Sequence, residues 1–152
     1  MRLSFEPASS GDIEAIARDV RMADEIEIKA SSGESVADAM AFGLSRSTVC
    51  FTAVADDEPI AMFGVAPDGT DNGIVWMVAT NALERMTLRK ALLKSSRELL
   101  PVLMAGYSKV YNVVDQRNDK AIRWLHWLGF EFENAVNVNG YPFLPFWKVN
   151  HV

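Results

Sequence analysis

The chain has 152 residues, of which 49% are hydrophobic and 23% are charged, and its formal net charge is −5. This composition is typical of one globular domain, residues 1–152, and it excludes a disordered chain. The negative charge argues against a surface that captures nucleic acid through its phosphates. No stretch approaches the roughly 20 apolar residues of a membrane-spanning helix.

The sequence carries no signal for a disulfide, a metal or export. Cys50 is the single cysteine, so no intrachain disulfide can form. The two histidines, His126 and His151, have no neighbours at a spacing suited to a metal, so no metal site is predicted. Residues 1–4 lack the apolar core of a signal peptide, so we expect a cytoplasmic protein.

The N-terminal third predicts a strand followed by two helices. Residues 2–5 form the strand, and the spacing of Ser9 and Asp12 is that of a capping box, which marks the start of the first helix. Ser35 and Asp38 repeat this spacing at the start of a second, short amphipathic helix.

Two acidic residues lie in line with the apolar stripe of the first helix. Continuing the stripe at helical spacing brings Asp24 and Glu27 onto the buried face, and Arg21 lies three residues before Asp24. A semi-buried carboxylate with a raised pKa suits acid–base chemistry, which makes Asp24 and Glu27 catalytic candidates. Two alternatives stay open: Arg21 and Asp24 form an ion pair without chemistry, or the helix breaks near Ala23 and leaves both acids in a solvated loop. The stripe consists of Ile13, Ile16, Ala17 and Val20.

The middle of the chain predicts β-structure and then a long helix. Residues 48–55 and 60–66 form two strands joined by a turn, and a loop leads from them to residues 74–78, which are all apolar. A strand without polar residues is expected at the centre of a sheet, where both faces are buried. The long helix covers residues 88–105, with Thr87 as its N-cap.

The C-terminal half completes a mixed α+β fold. Pro101 is expected to kink the long helix or to split off its last turn. Residues 110–114 form the next strand, and the chain ends in two strands around a turn at Asn139 and Gly140. The element order is therefore β, α, α, three strands, α, β, α, β, β.

Residues 118–130 contain the clearest helix signals in the chain. Asn118 is a good N-cap, and Gly129 supplies the left-handed residue that ends the helix. Phe130 then lies where a C-terminal cap expects a hydrophobic contact back to Leu125. A short helix with one apolar face should therefore turn sharply into an aromatic-rich strand.

This pattern of Asn118, Ala121 and a closing Leu-Gly-Phe at residues 128–130 resembles the penultimate helix of the GNAT acyltransferases. With residues 76–77 (Trp-Met) and 124–127 (Trp-Leu-His-Trp), the chain is most similar to a phage subfamily of small GNAT-like proteins described as internal virion proteins. The resemblance implies an α+β fold with two N-terminal helices, a central splayed mixed sheet and two C-terminal helices. It also implies an acetyl-CoA-dependent N-acetyltransferase acting on an unknown amine, with phage or host protein partners, in a bacterial host cytoplasm or packaged in a virion.

The resemblance further implies where acetyl-CoA binds. Its pantetheine arm would insert between the splayed central strands. A main-chain amide of the central strand, from Met77, Val78 or Ala79, would donate to the oxyanion that forms on the thioester. Asn118, the family's entry residue on the penultimate helix, is assigned to the same cofactor site.

Three basic residues near the start of the long helix complete the cofactor candidates: Arg85, Arg89 and Lys90. Cations at a helix N-terminus oppose the helix dipole, and a bound anion would remove this conflict. The alternative is that these side chains are solvated and tolerate the cost. The family's phosphate-binding turn is rich in glycine or alanine, whereas this chain has Leu88 and Lys90 at those positions.

On the acceptor side the substrate-binding candidates are Arg21 and Trp76, with Asp24 or Glu27 as the base. Aromatic core packing is the alternative role of Trp76. Leu125 stands where many relatives carry a tyrosine that protonates the departing thiolate, and leucine cannot donate a proton. The tyrosines elsewhere in the chain are Tyr107, Tyr111 and Tyr141. The missing glycines and Leu125 favour a rival function, in which a GNAT-like fold without catalysis acts in virion assembly or host interaction.

Overall fold

The computed structural model describes residues 2–151, so Met1 and Val152 of the predicted domain 1–152 lie outside the described residues. Helices and strands alternate along the chain largely as the sequence predicts. In chain order they are β1 (Leu3–Pro7), α1 (Ser10–Arg18), α2 (Met22–Ser32), α3 (Val36–Arg46), β2 (Val49–Ala55), β3 (Glu58–Pro67), β4 (Asn72–Ala79), a 3-10 helix (Asn81–Glu84), α4 (Met86–Met104), β5 (Lys109–Asp115), α5 (Asp119–Trp127), β6 (Glu131–Phe132), β7 (Val136–Val138) and β8 (Tyr141–Val149).

The strands form one mixed sheet in the order β1-β2-β3-β4-β5-β8-β6, and β7 pairs with the start of β8. Within residues 2–151, β4 and β5 are the one parallel pair, and the other pairs are antiparallel. A parallel pair needs a crossover connection, which α4 supplies across one face of the sheet. The predicted α+β fold with a mixed sheet is confirmed.

Helices cover both faces of this sheet. On one face, α1 and α3 pack on a small core made of Ile13, Ile16, Val36, Met40, Met62 and Val78. On the other face, α4 and α5 pack on a larger core that includes Val75, Leu88, Leu92, Leu103, Val110 and Phe130. The apolar strand β4 contributes to both cores because successive side chains of a strand point to opposite faces.

β4 and β5 pair only where they begin. Asn72–Ile74 of β4 lies beside residues 109–111 of β5. Both strands continue, to Ala79 and Asp115, but no pairing joins these later residues within the described chain. The strands therefore diverge, as the resemblance implied for the central strands. We call the gap between residues 75–79 and 112–115 the β4–β5 cleft.

The predicted first helix is two helices in the structure. α1 ends at Arg18, and α2 begins at Met22. The chain leaves the helix between them because the carbonyl of Asp19 accepts a hydrogen bond from the main-chain N–H of Asn81, at 3.0 Å. This contact joins residues far apart in the sequence, so helical periodicity did not reveal the break.

Asp24 and Glu27 were predicted either to continue the first helix or to lie in a loop after it, and both predictions are wrong in part. The helix does break, but before Ala23, and the acids do not lie in a loop. Asp24 and Glu27 belong to α2, where Asp24 is buried and Glu27 is half-buried. The N-terminal half accordingly contains three helices where two were expected.

The long helix α4 continues through Pro101 to Met104, so the prediction of a separate last turn is wrong. Proline removes the hydrogen bond to the carbonyl of Arg97, one turn earlier. Both residues are exposed, so solvent can replace the lost partner.

The predicted caps of α5 are confirmed. The Asn118 side chain accepts a hydrogen bond from the N–H of Ala121 at 3.3 Å, and Gly129 has a φ of 93°. The N–H of Phe130 donates to the carbonyl of Leu125 at 3.0 Å, which closes a Schellman turn, and both side chains pack on the larger core. Local signals are sufficient here because each capping partner lies within one turn of the helix end.

Gly129→Ala should lower the free energy of unfolding by about 1 kcal/mol or more, because an L-residue is strained in the left-handed conformation. Gly11→Ala is the matched control. Gly11 lies in α1, where an added Cβ meets nothing closer than the Ser9 hydroxyl at 3.8 Å. Alanine there should be neutral or stabilising. Urea denaturation of both variants measures the difference, and equal effects would contradict the role of Gly129.

Candidate functional site

The end of α2 nearest the sheet lies across the open end of the β4–β5 cleft. The carboxylate of Asp24 accepts a hydrogen bond from the main-chain N–H of Ala79, at the end of β4, at 2.8 Å. One turn later, Glu27 Oε1 accepts from the main-chain N–H of Asp115, at the end of β5, at 2.5 Å. The two acids of α2 therefore bind the two diverging strands, one acid to each.

A third side chain, Asn112 of β5, spans the cleft where the strands part. Its Nδ2 donates to the carbonyl of Val75 on β4 at 2.6 Å. Its Oδ1 accepts from the N–H of Val113 at 2.7 Å. Asn112 was not predicted as a site residue. The available signal was a single polar residue within an apolar strand.

The main-chain N–H of Met77 is the free hydrogen-bond donor of β4 in the cleft. Main-chain groups of alternate residues point to alternate edges of a strand, and Val75 and Ala79 point into the cleft. Met77 therefore points there too, and no residue in the range 2–151 bonds to its N–H. Val78 is directed towards β3 instead, which removes its N–H from the predicted donors, and the N–H of Ala79 is held by Asp24.

Asp24 has the geometry of a structural anchor. Arg21 Nε and Nη2 donate to its two carboxylate oxygens, each at 3.0 Å, and the side chain of the aspartate is 5% exposed. Burial raises the pKa of Asp24, while the Arg21 guanidinium and the Ala79 N–H lower it. Arg21 and Ala79 together engage both oxygens, so the Asp24 carboxylate is committed to contacts within the fold. This is the Arg21–Asp24 ion pair that was one of the two alternatives predicted from the sequence.

Glu27 has the geometry of a base. Its Oε1 is bonded to Asp115, and its Oε2 accepts no hydrogen bond from the described part of the chain. Burial, together with the nearby charges of Asp24 and Asp115, raises its pKa to about 7, although the Asp115 N–H and Arg21 oppose this rise. Near neutral pH the carboxyl therefore exchanges readily between its charged and neutral forms.

A second ion pair, between buried Asp115 and exposed Arg117, lies next to the Glu27 contact. Asp115 is 2% exposed, and its carboxylate accepts from Arg117 Nε at 2.9 Å and from Arg117 Nη2 at 2.6 Å. The guanidinium lies 5.1 Å from the ring centre of Tyr141 on β8. The Arg117 hydrogen bond lowers the pKa of Asp115, so this carboxylate is charged beside Glu27. Sequence reasoning missed the pair, because its two members sit at the end of a strand and in a turn.

The predicted basic residues meet at the start of α4. Arg85, not Thr87, is the N-cap, no side chain caps this end, and the first turn of α4 contains no acid. Arg89 and Lys90 follow within the next turn. The three basic residues therefore belong to the N-cap and first turns of a helix whose start has no side-chain cap. An uncapped helix start of this kind favours an anion.

Leu88 does not obstruct this helix start. It stands at a position where the family has glycine or alanine, yet its side chain is 2% exposed and belongs to the larger core. The side chain of Leu88 therefore does not cover the main-chain N–H groups of the first turn.

Two other predicted residues serve the fold. Trp76 points to the face of the sheet covered by α3, where its ring lies against Gly43 and its Nε1 donates to Ser47 at 2.8 Å. The structure therefore does not bring Trp76 to the cleft, and its packing is the predicted alternative. The Asn118 oxygen is occupied in capping α5.

The tyrosines differ in their position along the cleft. Tyr107 bonds to Thr48 and Tyr111 bonds to Asp68, both near the paired ends of β4 and β5. Tyr141 alone lies on the side of Arg117 and the open end of the cleft.

Residues 2–151 contain no helix with enough length and apolar character to cross a membrane. In the same range, no three or more histidine, cysteine or acidic side chains are grouped so that they could hold a metal ion.

Solved acetyltransferases share this fold. A GNAT-family acetyltransferase from Streptococcus pneumoniae is 14% identical with a TM-score of 0.67, covering 97% of this chain and 99% of that chain. The aminoglycoside acetyltransferase AAC(6')-Ib in complex with coenzyme A is 18% identical with a TM-score of 0.66, covering 97% and 95%. A SpeG spermidine N-acetyltransferase chimera from Vibrio cholerae and hSSAT is 13% identical with a TM-score of 0.68, covering 98% and 96%. These similarities establish the GNAT fold. No family model and no curated protein matches the sequence.

Glu27→Gln should make stability less dependent on pH. Below pH 4.5 the carboxyl is protonated in the folded and the unfolded chain, so wild type and variant should be equally stable. As the pH rises to 7, the unfolded chain ionises first and wild-type stability falls. Above pH 7 we expect the variant to be more stable by about 1–3 kcal/mol. Glutamine retains an oxygen that accepts the Asp115 N–H.

Urea denaturation at about pH 4 and about pH 8 tests this expectation. Glu25→Gln is the control, since Glu25 is exposed on the same helix. A Glu27→Gln difference that does not change between the two pH values would show that burial does not disfavour the Glu27 charge.

Proposed function

We propose that this chain is an acetyl-CoA-dependent N-acetyltransferase that acts on a primary amine. The observation that carries the proposal is the β4–β5 cleft, which presents a free main-chain amide and a half-buried carboxylate that is not bound to an arginine. These are the groups of Met77 and Glu27. The GNAT fold of solved acetyltransferases, one of them with coenzyme A, supports the same conclusion.

The residues present fit acetyl-CoA as the acyl donor. The N–H of Met77 is available for the thioester carbonyl oxygen, where negative charge develops during acyl transfer. The uncapped start of α4, with Arg85, Arg89 and Lys90, suits the phosphates at the other end of the molecule. Leu88 leaves that helix end accessible because its side chain lies in the core.

Glu27 supplies the proton acceptor for the reaction. The neutral amine nitrogen forms a bond to the thioester carbonyl carbon, and the carbon–sulfur bond then breaks. The proton lost by the amine passes to Glu27, and the thiolate takes a proton from solvent, which yields an amide and a thiol. A carboxyl whose pKa is about 7 can accept this proton and release it again near neutral pH. Solvent supplies the second proton because Leu125 has no hydroxyl group.

A second candidate function is supported by the departures from the family pattern. Leu125 replaces the proton donor, and the glycine-rich phosphate turn is absent. In this alternative the cleft stays closed by Asn112, Asp24 and Glu27, and the protein acts in virion assembly or host interaction. The resemblance to phage internal virion proteins supports this alternative, and acetyl-CoA binding separates the two candidates.

Isothermal titration calorimetry of the purified protein with acetyl-CoA should show saturable binding to one site. Replacing Arg85, Arg89 and Lys90 together by alanine should weaken that binding about tenfold or more, because each cation contributes to phosphate recognition. Lys94→Ala is the control, since Lys94 is an exposed basic residue further along α4. No binding at millimolar acetyl-CoA would overturn the enzyme and leave the virion or host role.

Glu27→Gln should lower kcat for amine acetylation about 100-fold or more and leave acetyl-CoA affinity unchanged, because it removes the proton acceptor and not the donor site. Release of free thiol during incubation with a panel of primary amines measures the rate. Glu25→Gln should keep wild-type activity. An active Glu27→Gln variant would exclude Glu27 as the base.

A further inference from the structure

We propose that Asp115 and Arg117 form a positioning pair, which holds the Glu27 carboxyl at the open end of the β4–β5 cleft in the arrangement that accepts a proton. The inference rests on the proposed function, because it assigns a role relative to the base of that reaction. Both residues act through Glu27.

The contact between Asp115 and Glu27 is made by the main chain. The Asp115 N–H binds Glu27 Oε1, which fixes one oxygen and leaves Oε2 for the acceptor amine. The direction of this N–H depends on the turn that follows β5. That turn is held by the Asp115 carboxylate, which accepts from the main-chain N–H of Arg117 at 2.9 Å and from two atoms of its guanidinium.

Contacts with the β7–β8 hairpin support the pair and lead back to α2. Arg117 lies over the ring of Tyr141, which belongs to the β7–β8 hairpin. At the tip of this hairpin, Asn139 Nδ2 donates to the carbonyl of Ala30 at 3.2 Å and to that of Ser31 at 3.0 Å. Both carbonyls belong to the last turns of α2, the helix that carries Glu27. These contacts therefore connect Glu27, the turn after β5 and the β7–β8 hairpin back to α2.

The pair also controls the charge that faces Glu27. Asp24 and Arg21 face it from α2, and Asp115 faces it from β5. Each aspartate is paired with an arginine, and the negative charges of both aspartates raise the pKa of Glu27. Loss of Arg117 would leave the Asp115 charge uncompensated near Glu27. Loss of the Asp115 charge would remove a repulsion and leave a cation instead.

These two changes should act on Glu27 in opposite directions. A pair that only stabilises the turn would, when broken from either side, disturb Glu27 in the same way. The sign of the effect therefore distinguishes a positioning pair from a structural one.

Two titrations test the proposal on the full chain. The first follows the kcat/KM for amine acetylation with acetyl-CoA against pH. The second follows the Glu27 side-chain carboxyl by ¹³C NMR, with Glu27→Gln to assign the signal, and needs no activity. Asp115→Asn should move both midpoints down by about 0.5–1 pH unit, and Arg117→Gln should move both up by about the same amount. Arg117→Lys should restore most of the wild-type midpoint because it keeps the charge.

Lys120→Gln is the matched control, because it removes an exposed ion pair, with Glu84, close to the same turn. It should shift neither midpoint. Shifts of the same sign in Asp115→Asn and Arg117→Gln, or midpoints that stay within about 0.2 pH unit of wild type, would overturn the positioning role. Lack of activity in the wild type would instead contradict the proposed acetyltransferase, and the NMR midpoints would still decide whether the pair controls Glu27. If Arg117→Gln does not fold, Asp115→Asn and Arg117→Lys supply the comparison.

Discussion

The divergence of β4 and β5 is the constraint on which the site depends. Beyond Ile74 and Tyr111, β4 and β5 no longer pair with each other. A buried main-chain group without a hydrogen-bond partner is costly. Side chains replace the missing ladder, since Asn112 bonds to both strands and α2 delivers a carboxylate to the end of each. The polar residues of the cleft therefore satisfy main-chain groups that the divergence of the strands leaves unpaired.

That requirement gives the two acids of α2 different properties, although they lie one turn apart on the same face. Asp24 receives a bidentate arginine and a main-chain N–H, so its hydrogen-bonding capacity is used in holding α2 to β4. Glu27 receives one main-chain N–H and no arginine. Desolvation is therefore less compensated at Glu27, and a raised pKa follows from the fold and not from the glutamate itself.

On the proposed acyl-donor side, the candidate binding groups belong to the main chain. Strand alternation leaves Met77 as the free amide of β4 in the cleft, because Val78 faces β3 and Ala79 is engaged. At the start of α4, the side chain of Leu88 is buried in the core and does not cover the main-chain N–H groups of the first turn. A glycine-rich turn reaches the same end by having no side chain at all.

The sequence by itself determined the elements whose signals are local. The caps of α5 at Asn118 and Gly129, the turn at Asn139 and the apolar strand β4 each depend on neighbours within a few residues, and the structure has them as predicted. Only the tertiary structure decided where the first helix breaks, because the break depends on a hydrogen bond between Asp19 and the distant Asn81. It also decided that Asp24 anchors the helix, and it brought Arg117 and Asp115 behind Glu27. These roles depend on which charges and main-chain groups converge in space, and no spacing along the chain encodes that.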